Sequence, residues 1–207
     1  MSTKNAMELI RKLRSPDNKS VLEAIEELRA HGWLSGNALE GINLRYIHLR
    51  NTDLHRANFQ NADLGMADLR EADLSLANLQ GAQLGRANLY RADLSKTNLA
   101  NADLAKADLN RASNLTFEQL MQVKQLRGAI MPDGRRYDGR LQLPADLEAA
   151  RVTQVNLDDA EAMAAFYNVT VEEYQHGQEW AQVYAGVEGK RAIAPNTQPH
   201  NLRKQAS

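Results

Sequence analysis

Large apolar residues recur at every fifth position through the middle of the chain. From Leu39 to Leu109 all fifteen of these positions hold Leu, apart from Phe59. From position 52 onward the residue two places earlier is Ala or Thr, and the residue just before is Asp or Asn in twelve of the fourteen repeats from 43 to 108. A helix of period 3.6 would spread such positions around its circumference, and a strand of period 2 would send successive Leu to opposite faces. The period therefore predicts a chain that turns a corner after every five residues and stacks its coils as a solenoid.

The repeated unit has the form A-(D/N)-L-x-x, as in residues 62–66. This unit resembles the consensus of the pentapeptide-repeat family, and the resemblance covers residues 38–112. It implies a mainly β solenoid, a right-handed quadrilateral β-helix in which four pentapeptides make one square coil, with about four coils in all. Leu and Ala would fill the interior. Because architecture explains these residues, they indicate no chemistry.

Caps are expected at both ends, because an open coil would expose unpaired backbone and Leu side chains. The sequence divides into five segments at the points where the repeat begins, breaks and gives way to other patterns. These are an N-terminal helical cap (1–37), the pentapeptide-repeat β-helix (38–112), a C-terminal cap with a turn-rich connection (113–143), an α-helical module (144–185) and an extended basic tail (186–207).

The N-terminal cap is predicted to contain a helix over residues 17–32. Asp17 is a suitable first-turn cap and Gly32 a suitable stop. The apolar positions that follow helical spacing are Val21, Leu22, Ile25 and Leu28. We expect Val21, Leu22 and Leu28 to pack against the first coil, where Ile42 and Ile47 replace the usual Ala, with Trp33 and Leu34 at the junction.

After the repeats the register breaks at Asn114, which stands where a Leu is due. Residues 116–119 (Thr-Phe-Glu-Gln) predict a capping box and a short helix reaching about residue 124. Leu126 and Met131 are again five apart, which allows a last partial coil, and residues 132–134 (Pro-Asp-Gly) indicate a turn.

Three further helices are predicted in the C-terminal module. The first begins at Pro144, the second is capped by residues 158–159 and runs to about Tyr167, and the third follows a capping box at 170–173 and runs to about Ala185. Residues 166–184 hold five of the eleven aromatic residues of the chain. They form either a small helical core or an exposed aromatic anchor for a partner, since Tyr and Trp are enriched at binding hot spots.

Composition narrows the classes of function. The chain contains no Cys, which excludes disulfides and Cys-ligated metal sites. The net charge of −1 argues against an overall electrostatic field that attracts nucleic acid. This small net charge results from segments of opposite charge that cancel. Residues 112–185 carry six basic and eleven acidic side chains, and residues 186–207 carry four basic and one acidic side chain. The basic tail could fold back on the acidic module or reach another protein. Without a signal-type or membrane-spanning apolar stretch, we expect a cytoplasmic protein, and the family resemblance implies a bacterial one.

The sequence offers no convincing catalytic, cofactor-binding or metal-binding residues. The five His show no metal-ligand spacing, and residues 186–191 lack the spacing and hydroxyl residue of a phosphate loop. Glu172, Glu173, His176 and Glu179 are better explained as one solvated helix face. We therefore expect no cofactor and no enzymatic activity.

The resemblance implies a binding function, since pentapeptide-repeat proteins are mostly non-enzymatic. The leading interpretation is a protein–protein interaction or assembly scaffold that does not bind nucleic acid directly. The sequence does not determine its oligomeric state. The alternative is a DNA-mimicking protein that binds gyrase or another topoisomerase, the role of the best-understood group in the family. The balance of nine basic and nine acidic residues in the repeats departs from that role. An enzyme built on the C-terminal module is a remote alternative.

Candidate contact residues follow from the coil geometry. If four repeats make a coil, residues twenty apart share a wall, and one wall collects several Arg and a Tyr. These residues could equally serve only to keep the rod in solution. The candidates are Arg50, Arg70, Tyr90, Arg91 and Arg111 on this wall, Tyr174, Trp180 and Tyr184 in the helical module, and Lys190 and Arg191 in the tail.

Overall fold

The repeats wind into stacked coils with four repeats to a turn. In the computed structural model, which describes residues 3–184, parallel β-bridges join residues twenty apart from Asn43 and Asp63 onward to Asp93 and Ser113. Within the described residues these contacts are isolated bridges, and the regular elements are all helical. The expectation of a mainly β chain is corrected in this respect. A corner at every fifth residue leaves each wall too short for an extended strand.

Each corner is built by two features of the repeat. The residue two places after the central Leu has a left-handed backbone at every step from Gly41 to Arg111, with φ between 55° and 67°. The Asp or Asn before the Leu accepts a hydrogen bond from the N–H group two residues ahead, as Asp73 does from Ser75 at 2.8 Å. This bond occurs in all twelve repeats that carry Asp or Asn. The short acceptor side chain thus sets the turn.

The interior of the coils is filled by the central Leu and the small residue before it. From Leu39 to Leu109 the central residues are at most 2% exposed, and Phe59 is fully buried among them. Thr52 and Thr97 take the place of Ala, and their hydroxyls donate to the carbonyls of Leu49 (2.6 Å) and Leu74 (2.8 Å). The predicted Leu and Ala core is confirmed.

Two helices cover the N-terminal end: α1 (Thr3–Lys12) and α2 (Asn18–Ala30). Asp17 caps α2, as predicted, by accepting the N–H groups of Lys19 and Ser20. The expectation that Leu22 packs inward is wrong, since it is 37% exposed. The buried stripe of α2 is formed by Val21, Ala24, Ile25 and Leu28, and α1 packs against α2 through Leu9, Ile10 and Leu13. A 3₁₀ turn at Asn37–Leu39 leads into the coils.

At the other end the coil is continued by α3 (Phe117–Met121), which ends earlier than predicted. The capping box between Thr116 and Gln119 is confirmed. The amide of Gln119 also donates to the carbonyls of Leu94 (2.9 Å) and Thr97 (2.8 Å), fixing α3 to the last coil. Because α3 adds two residues, the next bridges join residues twenty-two apart, Asp103 with 125 and Asp108 with 130.

The C-terminal module consists of α4 (Pro144–Val152), α5 (Ala160–Tyr167) and α6 (Val171–Tyr184). Asp159 caps α5, and the side chains of Thr170 and Glu173 form the predicted capping box at α6. Tyr167 packs on Tyr137, with ring centres 5.6 Å apart. No helix in residues 3–184 combines the length and apolar character that crossing a membrane requires.

Candidate protein-binding surface

The walls of the solenoid carry different side chains. The wall centred on Phe59, Leu79 and Leu99 has no charged residue at 58–61, 78–81 or 98–101, and its Asn side chains bond to one another along the stack. A second wall presents the outward residues that follow Leu49, Leu69, Leu89 and Leu109, and we call it the basic–aromatic wall. Charge is therefore concentrated on particular walls rather than spread evenly over the rod.

In the first half of the basic–aromatic wall, the Arg side chains are neutralised by carboxylates. Arg50 forms an ion pair with Glu71 at 3.2 Å. Arg70 donates two hydrogen bonds to Asp68, at 2.7 and 2.6 Å. The hydrogen bond from the Arg70 side chain is the main cause that lowers the pKa of Asp68. These two Arg are engaged within the wall and have less charge to offer a partner.

In the second half, two Arg hold an aromatic ring between them. The guanidinium carbons of Arg91 and Arg111 lie 5.1 and 5.9 Å from the centre of the Tyr90 ring, a cation–π arrangement. Arg91 and Arg111 are exposed, and Tyr90 is half-buried between them. Neither Arg forms an ion pair with a carboxylate within the described part of the chain. The wall thus ends in cations that are oriented but not neutralised.

The loop that follows extends this end of the wall. The N–H of Arg111 donates to the carbonyl of Pro132 at 3.0 Å, and residue 130 bridges both Asp108 and Arg136. Arg135 and Arg136 are exposed and make no ion pair among residues 3–184. The carboxylates of Asp108 and Asp133 lie near Arg111 and Arg135 in the sequence, and neither forms an ion pair among residues 3–184. We call the set of Tyr90, Arg91, Arg111, Arg135 and Arg136 the basic patch.

The repeats match a known family. The model described as Pentapeptide repeats matches eight copies over residues 39–75 and 77–113. Residues 39–113 of the chain are therefore pentapeptide repeats. Proteins of this family are often structural or interaction proteins and are generally not enzymes.

Solved pentapeptide-repeat structures similar to the chain come from cyanobacteria and a plant. HetL from Nostoc sp. strain PCC 7120, described as involved in heterocyst differentiation regulation, shares 28% identity over 46% of this chain and 60% of its own, with a TM-score of 0.28. A thylakoid-lumen protein of Arabidopsis thaliana shares 20% identity over 63% and 90%, with a TM-score of 0.30. Rfr23 from Cyanothece 51142 shares 27% over 45% and 79%, with a TM-score of 0.24. The chain thus spans 60% of the length of HetL. No curated protein sequence matches it.

The candidate contacts outside the pentapeptide repeats are less accessible or lie beyond the description. The ring of Tyr174 is half-buried and stacks on Tyr167 with centres 6.2 Å apart, so it contributes to the packing of α5 on α6. The side chains of Trp180 and Tyr184, and all of Lys190 and Arg191, lie outside the described residues. Their contact roles remain predictions.

The helical module of this pentapeptide-repeat protein has an acidic outer surface. Residues 152–184 contain six carboxylates and no Lys or Arg. All six are exposed, and none forms an ion pair within the described part of the chain. This acidic surface consists of Asp158, Asp159, Glu161, Glu172, Glu173 and Glu179.

One carboxyl in the module is buried instead. Asp146, in the first turn of α4, is fully buried. Its Oδ2 accepts a long hydrogen bond from the Leu126 N–H at 3.4 Å, and its Oδ1 has no partner. Burial raises the pKa of Asp146 to about 6. The hydroxyl of Tyr167 is also buried without a partner, and burial raises the pKa of Tyr167.

The described residues offer no recognisable catalytic constellation. No group of three or more acidic or His side chains in residues 3–184 could hold a metal ion. An open groove of about 400 Å³ near the first coil is lined partly by Arg14, Arg45 and His48. Arg14 donates to the Asn43 carbonyl, and Arg45 pairs with Asp63 at 3.3 Å. Both cations of this groove are thus committed to the fold.

Sequence reasoning found part of the basic patch and missed the rest. The period of twenty brought Tyr90, Arg91 and Arg111 together. It could not include Arg135 and Arg136, because α3 shifts the spacing between neighbouring coils to twenty-two residues. The broken register at Asn114 indicated that the spacing changes, but it did not indicate that the change is two residues.

Proposed function

We propose that this protein is a non-enzymatic interaction scaffold, in which the repeats form a right-handed four-sided β-helix that presents the basic patch to a protein partner. The five segments predicted from the sequence are its structural units. The C-terminal helices and the tail supply a second contact region. The observation that carries the proposal is the half-buried Tyr90 ring held between two exposed Arg, Arg91 and Arg111, that form no ion pair among the described residues.

The patch is suited to binding because its backbone is fixed. Each coil is bonded to the next: the N–H of Leu89 donates to the Asp108 carbonyl at 2.8 Å, and the N–H of Arg91 donates to the Asn110 carbonyl at 3.1 Å. Ordering a surface on binding costs free energy, and a rigid lattice avoids most of the backbone part of that cost. Tyr and Arg are also the residue types most enriched among binding hot spots.

Gyrase binding by DNA mimicry is a weaker alternative. A DNA mimic needs a rod with a continuous acidic face, whereas one wall here has no charged residue at 58–61, 78–81 or 98–101 and another ends in unpaired Arg. The acidic surface lies on the helical module outside the pentapeptide repeats.

The test compares two pairs of Arg on the same wall. Tagged protein carrying Arg91→Ala and Arg111→Ala is used to capture partners from the native lysate, beside wild type and a control carrying Arg50→Ala and Arg70→Ala. The control removes the same charge from residues that are already paired with carboxylates. We expect the stoichiometric protein partner to be lost with the first variant and kept with the control. Equal capture by all three, or capture of a topoisomerase alone, would overturn the proposal.

A further inference from the structure

Neither the basic patch nor the acidic surface forms an ion pair among the described residues. The patch contributes four Arg guanidinium groups, and the acidic surface contributes six carboxylates with no Lys or Arg among residues 152–184. Seven ion pairs are found among the described residues, and none includes a member of either set. Elsewhere in the repeats Arg45, Arg50 and Arg70 each have a carboxylate partner, whereas Arg56, Arg86, Lys96 and Lys106 form no ion pair among the described residues and lie on other walls.

No ion pair joins these two sets within the described residues. The patch faces outward from the basic–aromatic wall and its extending loop. The helical module packs beside that loop: Tyr167 packs on Tyr137, and the Arg127 guanidinium lies 4.8 Å from the centre of the Phe166 ring on α5. These contacts hold α5, and α6 packs against α5. In this packed arrangement both sets remain without an ion pair.

We infer that the basic patch binds the acidic surface of a second copy of this chain. The inference rests on the proposed function and names the partner of the same patch. In such a pair Arg91 and Arg111 meet carboxylates of α6, and Tyr90 supplies apolar area between them. Each molecule carries both surfaces. In a dimer with two-fold symmetry the contact therefore forms twice, because the basic patch of each copy meets the acidic surface of the other.

The charges favour a second copy over a nucleic acid. A polyanion attracted to the four Arg of the patch would also be repelled by the six carboxylates of the same molecule. An acidic protein surface of matched size offers the complement without that penalty, and the chain itself presents one.

Charge reversal on each surface, followed by mixing, tests this inference. The basic-reversed variant carries Arg91→Glu and Arg111→Glu. The acid-reversed variant carries Glu172→Lys and Glu179→Lys, two exposed residues seven apart that share one face of α6. The control carries Arg56→Glu and Lys96→Glu, which are exposed on a different wall, in the same left-handed corner position as Arg91 and Arg111. Circular dichroism checks that every full-length variant is folded.

Sedimentation velocity over a range of protein concentrations gives the readout. We expect wild type and control to self-associate at low salt, and we expect this association to weaken as added salt screens the charges. Each reversed variant alone should associate at least about tenfold more weakly, and an equimolar mixture of the two should recover the wild-type affinity, because the reversed surfaces complement each other. Recovery on mixing is the result that a merely destabilised variant cannot give.

Wild type that stays monomeric at all concentrations and salts would overturn the inference, as would failure of the mixture to recover. A variant truncated after residue 185 gives a further check. If this variant associates and the full chain does not, the tail of the full chain already occupies the acidic surface, and the inference is overturned. If wild type is monomeric while Arg91→Ala and Arg111→Ala still abolish capture of another protein, the proposed function stands and only the second copy is wrong.

Discussion

The guanidinium of Arg111 lies 5.9 Å from the centre of the Tyr90 ring, although the two residues are twenty-one positions apart in the chain. Four pentapeptides return the backbone to the same wall one coil higher, so residue 110 stacks on residue 90 and the next residue reaches across the ring. Arg91 approaches the same ring from within its own repeat. The period of the solenoid therefore creates a three-residue arrangement that no local motif encodes.

Replacing Tyr90 with Leu should weaken binding with only a small effect on the fold. Tyr90 is half-buried on the outer wall and lies outside the Leu and Ala core, so loss of its ring should change the free energy of unfolding by no more than about 1 kcal/mol. Loss of a central aromatic anchor should lower affinity for the partner about tenfold or more, measured by sedimentation or quantitative capture. Tyr46→Leu is the control, because Tyr46 also lies beside a guanidinium, 5.4 Å from that of Arg45, but on another wall of the coils. Equal effects of the two substitutions would remove the special role of Tyr90.

Replacing Gln83 with Asn should stabilise the protein. In twelve repeats the Asp or Asn before the Leu accepts the N–H two residues ahead, and Gln83 stands at this position with a side chain one methylene longer. Asn would supply the acceptor for the Gly85 N–H at the distance that the fold already uses, for a gain of about 0.5–1 kcal/mol. Urea unfolding measures the gain, and Gln83→Ala is the control that should show none. A variant no more stable than wild type would contradict this account of the corner.

Gly139 should be the glycine least tolerant of Ala among those with positive φ. Its φ is +78°, and an added Cβ would clash with the ring of Tyr167. Gly32 has a similar φ of +69°, with no atom within 4 Å of an added Cβ. Gly32→Ala should therefore cost only the backbone strain, about 1 kcal/mol, and Gly139→Ala should cost about 3 kcal/mol because the clash is added. Thermal unfolding of both variants separates the two effects, and equal losses would show that the Tyr167 contact yields without cost.

The sequence predicted whatever depends on the local repeat and missed what depends on packing between elements. Local features could be predicted from the sequence. These are the corner hydrogen bonds of residues such as Asp73 and the helix caps at Asp17 and Thr116. Helix α1 was missed because its short apolar stripe of Leu9, Ile10 and Leu13 acquires meaning only against α2. Asp146 was missed because an acid in the first turn of a helix is ordinarily exposed, and its burial depends on how α4 packs against the coil end.

The buried carboxyl of Asp146 should make this protein less stable as pH rises through about 6. Burial raises its pKa from 3.8 to about 6, so the folded protein holds this proton at a pH where the unfolded chain has released it. Stabilisation is complete below the unfolded pKa and is lost as pH rises through the folded pKa. The groups that face the carboxyl include the N–H groups of Leu126 and Arg127 and the Arg127 charge, which oppose the shift, and Asp103, which adds to it. A difference of about 2 pKa units corresponds to about 3 kcal/mol at most.

Asp146→Asn isolates this effect, because the amide keeps an acceptor for the Leu126 N–H and cannot ionise. Urea unfolding at about pH 3 should give similar stabilities for wild type and the variant, about half of the divergence should be present near pH 5, and at about pH 8 the variant should be more stable by up to about 3 kcal/mol. The comparison of the two proteins at each pH cancels the contribution of every other ionisable group that they share. Asp158→Asn, at an exposed carboxyl, is the control and should show no such divergence. Parallel pH profiles for wild type and Asp146→Asn would mean that Asp146 is solvated in solution, so that α4 would pack less tightly on the coil end than its full burial indicates.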